Sequence, residues 1–195
     1  MLDLQRFLIK ERVAFLKTVD TYDIFDPDTQ AQVGVARECP GPLVQVLRWF
    51  IHKQLMPTRI EVREAGTERL VFTIRRPVAL WRARVYVTDA DGTEVGYFKS
   101  KLFSLGGGFW VYDANDNQFA EVRGDWKGWN FQFLTPDGAE LGIVTKKWAG
   151  LGRELFTSAD NYIVSISDDL ADQPVAKMLL LAAALAIDIV FKERR

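Results

Sequence analysis

The chain is poor in the residues from which most catalytic and metal centres are assembled. Of its 195 residues, one is cysteine and one is histidine. The lone Cys39 excludes an intrachain disulfide and any cysteine-built metal cage, and it fits a reducing compartment. A Ser-His-Asp or Cys-His device would have to use His52, yet no nucleophile elbow, Walker loop or zinc spacing accompanies it. A catalytic site needs several roles together, so His52 reads as a surface or packing histidine and no enzymatic activity is expected. An excess charge of one sign is also missing. Lys+Arg 25 against Asp+Glu 26 leaves a net charge of -1. That removes any global field for nucleic acid or an acidic membrane, and any electrostatic site must be local. The N-terminal stretch MLDLQRFLIKER carries charges through what would be the apolar part of a signal peptide, so secretion is not expected.

What is present is the composition of a globular protein with a sheet-rich core. Apolar residues make up 48%, charged residues 26% and aromatics 12%. The length suits one barrel-sized domain spanning residues 1–195. Four similar phrases recur: YDIFDPDTQAQVGVARE from Tyr22, VYVTDADGTEVGYFKSK from Val85, FWVYDANDNQFAEVRGD from Phe109 and FQFLTPDGAELGIVTKK from Phe131. Each is a β-branched or aromatic run, an Asp/Asn/Pro/Gly turn and a second alternating run, which is how a hairpin is written. The acidic turns Asp26-Pro-Asp28, Asp89–Gly92 and Asp113–Asp116 lack the further oxygen ligands and flanking helices of a calcium loop, so they read as turns. Further strands are expected at Arg59–Glu64, Leu70–Arg75, Phe103–Leu105 and Tyr162–Ser167. A short helix is expected at Leu43–Gln54, where Val44, Leu47, Phe50 and Ile51 share a face. Strands at such regular intervals argue for antiparallel hairpins in a sandwich or barrel.

The last segment, PVAKMLLLAAALAIDIVFKERR, breaks the pattern. Pro174 opens it, and Met178 to Phe191 is apolar except for Asp188. A helix that is apolar on every side must be surrounded on every side, by lipid or by protein. Crossing hydrocarbon takes about 20 apolar residues, and this stretch falls short while carrying Lys177 and Asp188. Burial inside a barrel is therefore favoured over membrane insertion, with 175–192 as a central helix. Lys177 is expected to snorkel out past the barrel's end, and Asp188 to need a partner if it lies inside.

The segment KKWAGLGRELFTSADNYIVSIS, followed by AKMLLLAAALAIDIVFKE, resembles the C-terminal signature of the phospholipid scramblases and LURP-one-related proteins, within the Tubby-like superfamily. Lys146, Trp148, Gly150, Glu154, Phe156, Thr157, Ala159, Asp160, Asn161, Tyr162, Ile187, Asp188 and Phe191 occupy motif positions. FTIRRP through DADGTEVGYF is similar to the family's middle portion. The resemblance implies a closed antiparallel barrel of about twelve strands around a central helix, with Trp148, Gly150, Phe156 and Asp188 in structural roles. It also implies a cytoplasmic protein, peripheral at the inner face of the plasma membrane, with acidic phospholipids or phosphoinositides, or a protein, as partner. This sequence departs from the family pattern in three places. Ser158 stands where the calcium-linked segment has Asp, and Tyr162, Val164 and Ile166 cannot ligate a hard cation. Only Asp160 and Asp169 could contribute to a calcium site, with Asp168 and Asp172 nearby, so no cofactor is expected. The palmitoylated cysteine cluster of animal members has no counterpart in RRPVALWRARVYV, and their Pro-rich tail is missing, which reads as a minimal, bacterial-type version.

One local patch carries a binding expectation. Period two puts Arg82 and Arg84 on one face and Trp81, Ala83 and Val85 on the other. With a loop at Ala90–Thr93, Arg84 faces Lys99 and Arg82 faces Lys101 across the hairpin. Like charges so opposed destabilise a sheet unless an anion sits among them. Arg82, Arg84, Lys99 and Lys101, helped by Arg75 and Arg76, are thus a candidate phosphate-headgroup site. Scattered solvated charges on a barrel exterior are the plain alternative. The glycine-rich SLGGGFW has no helix start after it to hold a phosphate and reads as a strand bend. Trp126 and Trp129 read as barrel-packing residues. Two functions follow: a scramblase-like domain at the membrane surface binding acidic headgroups, non-catalytic or weakly lipid-translocating, or a soluble interaction or ligand-binding scaffold without lipid activity.

Overall fold

Twelve antiparallel strands close on themselves around one long helix in the computed structural model. It describes residues 1–12, 19–41, 44, 56–78, 84–100, 108–125, 129–146 and 161–192, without the side chains of 100, 125 and 188–192. The strands are β1 (Arg6–Glu11), β2 (Thr21–Phe25), β3 (Gln32–Glu38), β4 (Thr58–Glu64), β5 (Leu70–Arg76), β6 (Arg84–Asp89), β7 (Glu94–Ser100), β8 (Gly108–Asp113), β9 (Gln118–Asp125), β10 (Asn130–Leu134), β11 (Glu140–Thr145) and β12 (Asn161–Ile166). Neighbours in sequence pair in space, and β1 closes the ring against β12, with Phe7 opposite Val164 and Ile9 opposite Tyr162. All four repeated phrases are hairpins: β2–β3, β6–β7, β8–β9 and β10–β11. β4 and β5 form another between them. The expected Leu43–Gln54 helix, with His52, and the Phe103–Leu105 strand lie outside the described residues.

The alternation in the sequence becomes an inside and an outside. In β4, Thr58, Ile60 and Val62 are buried while Arg59, Glu61 and Arg63 face outward. The hairpin turns share one device as well. The carboxylates of Asp26, Asp89 and Asp113 each accept a hydrogen bond from the backbone N–H two residues on, at 2.8, 3.0 and 2.8 Å. Thr135 replaces the carboxylate in β10–β11, its Oγ1 accepting from Ala139 N–H at 2.9 Å. These local bonds give the turn its backbone partners, which is why Asp and Thr stand there. A residue with positive φ completes each of the five hairpin turns: Gln30 at 60°, Glu68 at 54°, Gly92 at 84°, Asp116 at 62° and Gly138 at 95°. The register shifts one or two residues before each turn, at Ile24/Phe25, Val62/Arg63, Val87/Thr88, Val111/Tyr112 and Phe133/Leu134. Bulges placed so regularly on one rim curl the sheet into a barrel.

The turns of these five hairpins lie at the same end of the barrel, together with the connection from β12 into the helix. That connection holds a 3-10 turn, Asp168–Leu170, whose Leu170 is buried in the core. Helix α1 (Pro174–Lys192) then runs down the interior. Its side chains from Ala176 to Ile187 are all buried, on every face of the helix. At 1.5 Å per residue it is about 28 Å long, against roughly 20 Å for a six-residue strand, so it traverses the barrel. Small residues let the wall approach it. At Gly96 in β7 an added Cβ would lie 2.2 Å from the Tyr112 carbonyl and 2.9 Å from Leu179 of α1. Among the described residues no helix is long and apolar enough to cross a membrane. The apolar tail is core.

Lys177 does not behave as the sequence suggests. It is 2% exposed, so its side chain is held inside the barrel instead of extending past its end. Its position in the helix lies between Ala176 and Met178, both buried against the barrel wall, and Leu170 of the preceding connection is buried in the same core. The side chain of Asp188 lies outside the described residues. Trp129 packs as expected, edge-on to Phe131 at 5.9 Å and tilted against Tyr162 at 5.4 Å.

Candidate basic wall on strands four to eight

The predicted register of the β6–β7 hairpin is the observed one: Arg84 lies directly opposite Lys99. Asp89 N–H bonds to the Thr93 carbonyl at 2.9 Å, closing the loop that sets this pairing. The row extends both ways across the outer wall. Arg59 of β4 is opposite Arg75 of β5, Arg75 is opposite Tyr86, and Lys99 is opposite Trp110. Directly opposed residues project to the same face, so these side chains share one outward surface. Arg59, Arg75 and Arg84 are exposed on it, and Lys99 is half-buried.

Aromatic rings hold this surface in shape. Tyr97 stacks on Tyr112 at 4.9 Å and 11°, and Tyr86 tilts against Tyr97 at 6.1 Å. The guanidinium of Arg84 lies over the Tyr97 ring, 4.7 Å from its centroid. Tyr97 is fixed in turn by its hydroxyl, which donates to Asp116 Oδ1 at 2.7 Å. Burial and that acceptor push the Tyr97 hydroxyl up to about 12, so it stays protonated and remains a donor. A guanidinium held over a ring face can still offer N–H groups to an oxyanion, so Arg84 is placed to meet a phosphate or carboxylate.

The cations differ in how they are satisfied. Arg59 pairs with Glu61 at 3.0 Å. Arg123 forks onto Glu121 further round the wall. Arg75, Arg84 and Lys99 have no carboxylate partner among the described residues. Arg76 stands apart. Its position in β5 points inward, it is 9% exposed, and its Nη2 donates to Thr58 Oγ1 at 3.1 Å. Adjacent strand residues face opposite sides, so Arg75 and Arg76 cannot serve one surface. Arg82 and Lys101 lie outside the described residues. Tyr86, Tyr97 and Trp110 were not singled out from the sequence. Their signal was the outward phase of β6, β7 and β8, shared with Arg84 and Lys99.

Of the family-derived metal positions only Asp169 lies among the described residues. Asp160, Trp148, Gly150 and Phe156 fall outside the described residues, and Asp169 is exposed beside the 3-10 turn, its Oδ2 accepting from Ser167 Oγ at 3.2 Å. No cluster of three or more His, Cys, Asp or Glu suited to a metal occurs among the described residues. A hollow of about 470 Å³ does exist at the turn end, lined by Gln5, Arg6, Glu140, Ser165, Ser167 and Asp168. Its one cation, Arg6, is already bound to Asp28 at 2.6 Å, and its lining is mostly polar, unlike the apolar pockets that take small molecules.

Comparison with known proteins places this geometry. No solved structure matches the chain. It is similar to the protein called altered inheritance rate of mitochondria protein 25 from Saccharomyces cerevisiae, 26% identical over 129 residues. That match covers 59% of this chain and 34% of the yeast protein, so the chain spans about a third of that relative's length. A family profile described as Scramblase matches residues 17–194, nearly the whole barrel and its helix. The chain belongs to the Scramblase family.

Proposed function

We propose that this chain is a peripheral, non-catalytic lipid-binding domain that holds acidic phospholipid headgroups against Arg75, Arg84 and Lys99. Membership of the Scramblase family points to a lipid-associated role in general terms. The observation that carries the finer reading is the opposition of Arg84 and Lys99, with Arg75 on the same face and no carboxylate paired with any of the three among the described residues. Like charges placed directly opposite destabilise a sheet, and an anion between them reverses the sign. Each Lys or Arg at an anionic bilayer surface contributes about 1 kcal/mol. Three such cations give about 3 kcal/mol, on the order of a hundredfold in affinity.

Lipid translocation is not part of the reading. Side chains from Ala176 to Ile187 fill the lumen, and a headgroup needs a polar track. The protein is placed at the cytoplasmic face of a membrane, where anionic lipid gathers. Flotation with vesicles of phosphatidylserine in phosphatidylcholine tests the site. The parent chain should float with the anionic vesicles and not with pure phosphatidylcholine. The triple variant Arg75→Gln/Arg84→Gln/Lys99→Gln should bind about a hundredfold more weakly while keeping its thermal midpoint. Equal flotation of the variant removes the site. Failure of the parent to float favours the soluble scaffold instead.

A further inference from the structure

The net charge of -1 conceals a strong separation of charge along the barrel axis. The connections at the turn end are residues 26–31, 65–69, 90–93, 114–117, 135–139 and 167–173. Every one contains at least one Asp or Glu, and Arg69 is the one cation among them. At the opposite end the strand termini carry Arg37, Arg59, Arg75, Arg84 and Lys99, against Glu11, Glu38 and Asp125 at the ends of β1, β3 and β9. Of these, Arg37, Arg75, Arg84 and Lys99 have no ion pair among the described residues. An apolar side chain stands beside them: Val78, two residues beyond β5, is 65% exposed. Among the described residues the other large exposed apolar side chain is Val175, in the first turn of the helix at the acidic end.

We propose that the barrel docks end-first on an anionic bilayer, with the Arg37–Arg75–Arg84–Lys99 end toward lipid, Val78 at the contact and the acidic turns pointing away. The orientation rests on the headgroup reading above and adds what excludes the alternatives. β4 to β9 are six to eight residues long. At about 3.3 Å per residue the turns therefore lie roughly 20–26 Å from the docked end. The Debye length at physiological salt is about 8 Å, so the turn carboxylates are screened from the membrane in this pose. Inverted, or lying flat on the far wall, the same carboxylates meet the anionic surface directly and repel it. The dipole therefore selects one pose from the many that a surface patch alone would allow.

The test places one thiol probe at each end. Cys39 follows β3 at the basic end and is partly exposed, so the native cysteine serves there directly. In a Cys39→Ser background, Val78→Cys gives a second probe at that end and Asn115→Cys one in the β8–β9 turn. Each protein carries a polarity-sensitive fluorophore, its thermal midpoint is matched to the unlabelled chain, and it is mixed with phosphatidylserine vesicles bearing a headgroup-attached nitroxide. The expected result is severalfold stronger quenching at Val78 and Cys39 than at Asn115. Equal quenching at all three positions, or strongest quenching at Asn115 while flotation persists, overturns the orientation and leaves the headgroup site standing. Absence of flotation for all three overturns both. A second measurement needs no label. Asp91→Asn/Asp168→Asn/Asp172→Asn should leave vesicle affinity unchanged, and a marked tightening means that the turns face the membrane after all.

Discussion

The two ends of this barrel are made from the same strands and differ in what joins them. At one end the chain reverses in tight turns whose backbone is held by Asp26, Asp89, Asp113 and Thr135. Acidic side chains collect there as a by-product of turn chemistry, since Asp is chosen for its local hydrogen bond. At the other end β4 to β7 carry Arg59, Arg75, Arg84 and Lys99 near their termini, cations that no described turn requires, while β1 and β3 finish in Glu11 and Glu38. A side chain explained by local backbone geometry needs no partner. The unexplained cations at the opposite end are where a partner is to be sought.

The comparison holds only while α1 fixes both ends around one core, so the largest expected effect comes from breaking that core. Leu180 is fully buried. Leu180→Asp leaves an unpaired charge there and should cost at least 3–5 kcal/mol, enough to abolish the cooperative thermal transition and the near-UV circular dichroism signal. Reversing charge at the basic end comes next. Arg84→Glu/Lys99→Glu replaces attraction with repulsion at two positions, about 4 kcal/mol in binding or on the order of a thousandfold, read by vesicle sedimentation with folding unchanged. A third change sharpens the structural side. Gly96→Ala drives a Cβ onto the Tyr112 carbonyl near the turn end and should lower stability by about 1–3 kcal/mol in urea unfolding. The smallest effect is acid sensitivity of the turns. Hydrogen bonds to the turn hold Asp26, Asp113 and Asp137 below the usual carboxylate value. Their contribution is fully present above the unfolded-state pKa of about 3.9 and is lost as pH falls through the depressed native values. Protection factors of the turn amides, taken relative to the intrinsic exchange rate at each pH, should therefore fall in acid below about pH 4, and Asp113→Ala should flatten that fall in the β8–β9 turn.

The hairpins were legible because turn residues and period two are local signals. The apolar helix was legible because a stretch from Met178 to Ile187 without a polar face permits few environments. β1 was not foreseen. Phe7, Leu8 and Ile9 are all fully buried, so its sequence shows a short apolar run in place of alternation, and its partner β12 lies far along the chain. The inward turn of Arg76 was missed for a different reason. Two adjacent arginines read as one patch until the strand phase is fixed by Ile74 on the inside and Arg75 on the outside. The Arg84–Lys99 pairing was readable because the turn fixes the register. The aromatic support from Tyr97 was not, since it depends on a contact between neighbouring strands.

Joining β1 to β12 also dictates when this protein can fold. The ring stays open until the most distant pair of strands meets, and its lumen stays empty until α1, which follows β12, is delivered. A nascent chain bearing only the early hairpins has an apolar inner face and nothing to cover it. Such non-local closure is slow, and the half-built cylinder with free edges on both sides is a natural client for chaperones during synthesis.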